Sequence, residues 1–492
     1  MSEIHFVDTT LRDGQMSLWA TRMRTGMMLP IAERMDRAGF DAAELMSSIF
    51  LKKCVRDLKE DPFERIRRVK EKMPNTPLRM TSGRFNAFEV TPFSLYQLYL
   101  QRMRANGMSQ ARISDEWNDP AGWKQKVQTV REAGLEPIIN LIYSVSPKHT
   151  DAYYVERVRQ AATLDLPRIC LKDPGGLITP DRVRTLVPLV LENVSGTPVE
   201  FHTHCTTGLG PLCCVEAIKL GVTIVNTAIP PLANGSSNPS LFNVAANARA
   251  LGHATAVDEE SLHPVSEHFT RIAEQEGLPP GRPVEYDYGQ YLHQVPGGMY
   301  SNLRHQLEKV GLGHKFHEAL EECGRVREEF AYPIMVTPLS QFVGSQAAIN
   351  VIVGERYAQV TDQSILYALG LWGEEGSRLM DPEVKDRILD RPRARELARW
   401  EPPQPTIAEI RKGFEPGLSD DDLLLRWLVT RDEFNAMRAA GPATPYTGNG
   451  VLGLLQNLRG HKANHVYISR PGLKLSLQGV RERMTVAAGG VP

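Results

Sequence analysis

Phe201-His202-Thr203-His204-Cys205-Thr206-Thr207-Gly208 closes an apolar run that begins at Pro198-Val199-Glu200 and reads as the end of a buried strand opening into a loop. Residues two apart on a strand point to the same side, so His202 and His204 present two imidazoles to one point in space. That is a metal-ligand arrangement. Further ligand types stand at two other predicted strand ends, Asp13 in Asp8-Thr9-Thr10-Leu11-Arg12-Asp13-Gly14 and Lys172 in Ile169-Cys170-Leu171-Lys172-Asp173.

Upstream and downstream of that stretch, short apolar runs alternate with helical patterns as far as about residue 230. The runs are 4–7, 42–46, 78–81, 111–114, 137–142, 168–171, 199–202 and 223–226, which makes eight strands. A repeated βα unit of that number favours a closed parallel barrel over an open sheet, and in such barrels the active site lies at the C-terminal strand ends. Asp13, Lys172, His202 and His204 all fall there. The helix after the sixth strand shows how regular the pattern is. Thr179 can cap it, Pro180 suits its first position, and Val183, Leu186, Val187, Val190 and Leu191 form one apolar stripe.

Beyond residue 300 the alternation stops and helical stretches take over, as at 301–310, 316–330 and 338–353. The expected architecture is α/β: a (β/α)8 TIM barrel over 1–300, then a mainly helical C-terminal domain over 301–460 closing the barrel mouth. A hairpin-like tail is expected over 461–492, from His465-Val466-Tyr467-Ile468-Ser469 and Leu473-Lys474-Leu475-Ser476-Leu477 around a Pro-Gly turn. Gly448-Asn449-Gly450-Val451-Leu452-Gly453 fits a dinucleotide fingerprint as letters, but no strand precedes it, and it reads as a loop leading into a helix.

The formal charge of -1 over 492 residues gives no basic excess for nucleic acid or an anionic membrane. No apolar run reaches the roughly 18 residues needed to span a bilayer, and Met1-Ser2-Glu3-Ile4-His5 lacks a signal-peptide pattern. A cytoplasmic protein is expected. The six cysteines show no C-x-x-C spacing and are expected to be reduced.

Imidazole nitrogen mixed with carboxylate oxygen suits zinc, manganese or cobalt. Lys172 is the odd member, because an ammonium cannot bind a cation. Its plain alternative is a salt bridge to Asp173; it becomes a ligand only by reacting with carbon dioxide to give a carbamate.

Several stretches together resemble the biotin-dependent carboxyltransferase family, which includes the carboxyltransferase domain of pyruvate carboxylase, the oxaloacetate decarboxylase alpha subunit and the transcarboxylase 5S subunit. They are Asp8–Asp13, Ser17–Thr25, Glu60–Arg65, Lys172–Leu177, His202–Gly208, Gln294–Met299 and Val336–Gln341. The resemblance runs from about residue 4 to 440. It implies a divalent metal held by Asp13, carbamylated Lys172, His202 and His204, and carboxybiotin arriving on a carrier. It also implies an acceptor, such as a 2-oxo acid, whose enolate takes the carboxyl group. The family's proton-shuttling threonine falls on Ser236, where a hydroxyl can do the same work. Arg12 is expected to place positive charge against the substrate.

The departures lie on the substrate side. Where the family has Arg-Asp-Ala-His-Gln, this chain has Arg12-Asp13-Gly14-Gln15-Met16, so the substrate-facing glutamine is matched by Met16, with Gln15 as a neighbouring candidate. The family arginine of the third strand is displaced by one, to Arg84, and Leu45-Met46-Ser47-Ser48-Ile49 replaces Trp-Gly-Gly-Ala-Thr. Retained enolate chemistry is therefore expected, on an acceptor not restricted to pyruvate. No Ala-Met-Lys-Met type sequence is present, so a separate biotin carboxyl carrier protein and a biotin carboxylase subunit are the expected partners, with the chain as a homo-oligomer, a dimer. The alternatives are a biotin-independent metal-dependent aldolase, lyase or decarboxylase, which would do without a carbamylated lysine, and a non-catalytic assembly subunit.

Overall fold

The structure is a computed structural model and describes residues 2–86, 89–295, 303–304, 307–446, 465–470, 473–480 and 483–486. The Gly448–Gly453 stretch and much of Gln294–Met299 lie outside the described residues. Eight parallel strands form the barrel: β1 (Glu3–Asp8), β2 (Ala42–Ser47), β3 (Leu78–Ser82), β4 (Gln110–Ile113), β5 (Glu136–Ile142), β6 (Ile169–Asp173), β7 (Val199–Thr203) and β8 (Ile224–Thr227). Each pairs with the next, and β1 pairs with both β2 and β8, which closes the ring. A short strand, β9 (Ala254–Thr255), joins β1 from outside. The strands are almost wholly buried, as expected when helices cover the outer face and side chains fill the inside.

Local sequence sets the helix starts. Asp61, Asp119 and Thr179 each cap a helix whose first residue is proline, with side-chain oxygens accepting from the N–H groups of Phe63 and Glu64, of Ala121, and of Arg182. Each cap satisfies N–H groups that the helix leaves orphaned, and each proline arrives with its φ already helical. In the Pro180–Asn193 helix, Val183, Leu186, Val187 and Val190 are buried against the barrel, as the apolar stripe predicts.

The chain forms two compact units, 1–444 and 445–492. The change from alternating to all-helical chain near residue 300 falls inside the first. There the helices Phe316–Glu329 and Leu339–Val353 and those following build a core around Phe330, Phe342, Tyr367 and Trp372, and Trp117 from the loop after β4 is part of it. The second unit contains a three-stranded antiparallel sheet, β10 (His465–Arg470), β11 (Leu473–Val480) and β12 (Arg483–Val486). β10 and β11 pair over the stretch where a hairpin is expected, and β12 adds a third strand. Among the described residues no helix is long and apolar enough to cross a membrane, and all six cysteines are free and buried.

Candidate active site

All eight strand ends or the loops after them open onto one cavity of about 400 Å³. Arg12, Asp13 and Met16 reach it from β1, Ser47 from β2, Thr81 and Arg84 from β3, Ser114 and Glu116 from β4, Ile142 from β5, Lys172 from β6, His204 from β7 and Ser236 from β8. Met335, Val336, Thr337, Pro338, Ser340 and Gln341 close it from the helical region. Gln15 is not among the lining residues: it is fully buried, with Oε1 accepting from the Met23 N–H at 3.4 Å. Gln15 and Met16 open the short helix Gln15–Trp19, where successive side chains point about 100° apart, so Met16 faces the cavity and Gln15 the wall beside it.

The candidate ligands converge. Asp13, His202 and His204 place ligand atoms within 4.8 Å of one another. Asp13 Oδ2 lies 3.3 Å from His202 Nε2 and 3.5 Å from His204 Nε2, and it is left without a directed hydrogen bond. The second ring nitrogens are held from behind, His202 Nδ1 by Asn226 Oδ1 at 2.8 Å and His204 Nδ1 by the Ser236 carbonyl at 2.7 Å. Rings anchored at Nδ1 with Nε2 aimed at a carboxylate oxygen are the donor set a tetrahedral cation takes, so these residues fit a metal ion.

Lys172 sits beside them, paired with His202 in the β6–β7 register and lining the same cavity. A salt bridge to Asp173 is not what the structure contains. The Asp173 carboxylate accepts from the N–H groups of Leu177 and Ile178 and from the Thr203 hydroxyl, at 2.9 to 3.0 Å. Burial, with Arg112 and Arg12 nearby, brings the Lys172 amine down to about 8.

Beneath the candidate ligands lies a buried charged ladder. Glu44, Arg79, Arg112 and Glu200 are each fully enclosed by the barrel. Arg12 donates to Glu44 through Nε at 2.8 Å and meets Asp13 Oδ2 through Nη2 at 2.7 Å. Burial would raise the Asp13 carboxyl, but Arg12 and His204 outweigh it and hold it well below the usual carboxylate range. Glu44 is likewise buried, yet Arg112 and Arg12 bring it down to about 2. His202 is pushed down to about 3, chiefly by burial. The carboxylates are thus charged and the ring of His202 neutral, the states in which these groups donate to a cation.

The substrate side is different in kind. Ser47 and Thr81 are opposite one another on β2 and β3, and their buried hydroxyls have no partner among the described residues. Arg84 stacks 4.5 Å over the Trp372 ring and donates through Nε to Glu116 at 3.3 Å. Ser236 Oγ donates to the Ser17 carbonyl at 3.0 Å. Sequence reasoning missed the ladder, Asn226 and Trp372. The ladder had a signal, a single charged residue inside each of the apolar runs around 44, 79, 112 and 200.

A family profile described as "HMGL-like" matches residues 3–268, and one described as "Conserved carboxylase domain" matches residues 291–430. A pyruvate carboxylase subunit of Methanocaldococcus jannaschii is 37% identical over 392 residues, covering 79% of this chain and 68% of that protein. The 2-oxoglutarate carboxylase large subunit of Hydrogenobacter thermophilus is 34% identical over 395 residues, covering 79% and 60% respectively. The carboxyl transferase domain of Rhizobium etli pyruvate carboxylase, solved with pyruvate, has the same fold: TM-score 0.80, 22% identity, 97% of this chain and 84% of that one covered.

Proposed function

This chain belongs to the biotin-dependent carboxyltransferase family, and from that premise we propose that it moves a carboxyl group between carboxybiotin on a separate carrier protein and a 2-oxo acid or related enolisable carbonyl compound. Asp13, His202 and His204 hold a divalent cation, with Lys172 as fourth ligand once its amine has added to carbon dioxide and shed a proton to become a carbamate. Zinc suits two imidazoles and two oxygen donors in a tetrahedral set; manganese and cobalt are the other candidates. When bound, such a cation supplies positive charge against the acceptor's carbonyl oxygen, where charge gathers as a proton leaves the neighbouring carbon.

The chain's own residues do the remaining work. Arg12 holds Asp13 charged and in place, and adds its own positive charge at the edge of the cavity. The Ser236 hydroxyl, on the cavity wall, moves the proton between the acceptor carbon and biotin. Arg84 and Met16 shape the acceptor end, where the unpartnered hydroxyls of Ser47 and Thr81 offer further donors. The acceptor is left open between pyruvate and longer 2-oxo acids, as the names of the two relatives suggest. Met335 to Gln341 cover the cavity and exclude water. A biotin carboxyl carrier protein and a biotin carboxylase subunit are the partners, and the working form is a dimer.

The observation that carries this reading is the meeting of Asp13, His202 and His204 within 4.8 Å, with Lys172 on the adjoining strand and free of Asp173. The test supplies the purified chain with carrier and carboxylase proteins and screens 2-oxo acids for incorporation of labelled bicarbonate. In Lys172→Ala the bound metal is expected to fall below stoichiometric and transfer to drop by about 10²-fold or more, the scale of losing a group that orders an electrostatic site. Unchanged metal and turnover in that variant would defeat the proposal in favour of a biotin-independent lyase.

A further inference from the structure

Which nitrogen of His202 carries its proton decides whether the lone pair a cation needs stands on Nε2, the nitrogen that faces Asp13. The Asn226 amide answers this, since its own orientation is fixed by two partners that have no choice. Arg112 can only donate, and its Nη1 lies 2.7 Å from Asn226 Oδ1. Glu200, a carboxylate flanked by Arg79 and Arg112, can only accept, and its Oε1 lies 2.7 Å from Asn226 Nδ2. Oδ1 therefore faces His202 Nδ1, at 2.8 Å, as an acceptor. A bare Nδ1 would set lone pair against lone pair.

On the far side two groups face Nε2, each at 3.3 Å: the Asp13 carboxylate, which favours a proton there, and Asn238, which opposes it, so the shorter 2.8 Å contact at Nδ1 decides. Asn238 Nδ2 donates to the Thr203 carbonyl, which can only accept, at 2.8 Å, so the amide's orientation is fixed and Nδ2 faces His202 Nε2, at 3.3 Å, as a donor. That N–H meets a lone pair only if the proton is on Nδ1. The guanidinium of Arg112 also approaches Nδ1, but at 3.4 Å, well outside the distance of the Asn226 contact.

We propose that Asn226 is a positioning residue which, oriented by Arg112 and Glu200, locks His202 in the Nδ1-protonated tautomer and so offers Nε2 to the cation; the metal-binding consequence rests on the reading of the site given above. Asn226 itself is fully buried on β8 and is not among the residues that line the cavity. Its effect passes entirely through His202.

Two measurements test this. In metal-free wild-type protein carrying 15N-labelled histidine, long-range proton–nitrogen spectra should give His202 the pattern of a protonated Nδ1. A protonated Nε2 would overturn the proposal whether or not metal binds. In Asn226→Ala, zinc affinity measured at 25 °C by chelator competition should fall roughly 10- to 100-fold, the usual cost of losing a partner behind a ligating imidazole. A merely structural residue would lower the melting temperature and leave zinc affinity within about twofold in the folded variant, which would also overturn the proposal. Should Asn226→Ala fail to fold, the wild-type spectrum decides. Should wild type bind no zinc, the metal reading falls and the tautomer is still judged by the spectrum.

Discussion

His204, a candidate ligand, is held by its backbone as well as its ring. A Cβ on Gly176 would lie 2.9 Å from the His204 carbonyl oxygen and 3.0 Å from the Thr206 nitrogen, and one on Gly210 would lie 2.7 Å from the same carbonyl. Gly176 also has φ +63, in the left-handed region. Gly176→Ala should cost at least ~1–2 kcal/mol for the backbone alone, and should weaken metal retention, because His204 has to move. Gly221→Ala is the control. Its φ is +104, and a Cβ there would meet only a Leu191 methyl at 3.9 Å, so stability should fall while metal content after dialysis stays stoichiometric. Denaturant unfolding and metal analysis of both variants separate the two effects. That His202 and His204 face one point was legible in the sequence because residues two apart at a strand end share a side, and their ligand atoms and that of Asp13 lie within 4.8 Å of one another. Gln15 was not, because the wide turn Thr10–Gly14 that follows β1 sets which of two neighbours faces inward, and its path depends on packing against the rest of the barrel.

At the scale of strands and helices, what was legible is what is local: period-two runs, apolar stripes, and caps followed by proline. The charged ladder is not local. Arg79 and Glu200 lie 121 residues apart, and they meet at 2.7 and 2.9 Å only because β3 and β7 face one another across a closed ring. A charge inside an apolar run is visible in the sequence, but whether it is paired depends on closure. Burying an ion pair gains little over an apolar filling, yet removing one partner leaves the other charged with nowhere to go. Arg79→Met should therefore destabilise the protein by roughly 3–5 kcal/mol, the range for breaking a buried pair. The remaining contacts of Glu200, to Arg112 at 3.4 Å, to Arg168 at 3.6 Å and to Asn226 Nδ2 at 2.7 Å, favour the lower end. Urea unfolding at pH 7 measures it, and a loss under ~1 kcal/mol would mean that water reaches Glu200.

For the whole first unit, the sequence announced the change of texture near residue 300 but could not say how firmly the two textures adhere. The loop after β5 is where they join. Arg327, from the Phe316–Glu329 helix, donates to Ser144 Oγ and to the Val145 carbonyl, both at 3.0 Å, and Lys148 and Arg157 reach Glu375 at 3.0 and 3.2 Å. His149 is buried in this seam with Nδ1 2.6 Å from Ser146 Oγ. Burial, then Arg327, Lys148 and Arg157, push its imidazole down to about 3. An unfolded histidine titrates near 6.5, so between those two values the unfolded chain binds a proton that the folded chain refuses. The His149 contribution is therefore intact above pH 6.5 and falls by roughly 1.4 kcal/mol for each unit below it, down to about pH 3. His202, also held neutral by burial, contributes with the same sign. In His149→Phe the ring packing against Tyr153 and Tyr154 is kept while the titration is removed, so the loss of unfolding free energy between pH 7 and pH 5 should shrink by roughly 2 kcal/mol relative to wild type. The slope that remains is the balance of His202 and the other buried histidines against Asp8, whose carboxyl burial raises to about 7 and which contributes with the opposite sign. An unaltered slope would mean that the seam opens enough at pH 5 to solvate His149, and the barrel and its helical cover would then separate before either unfolds.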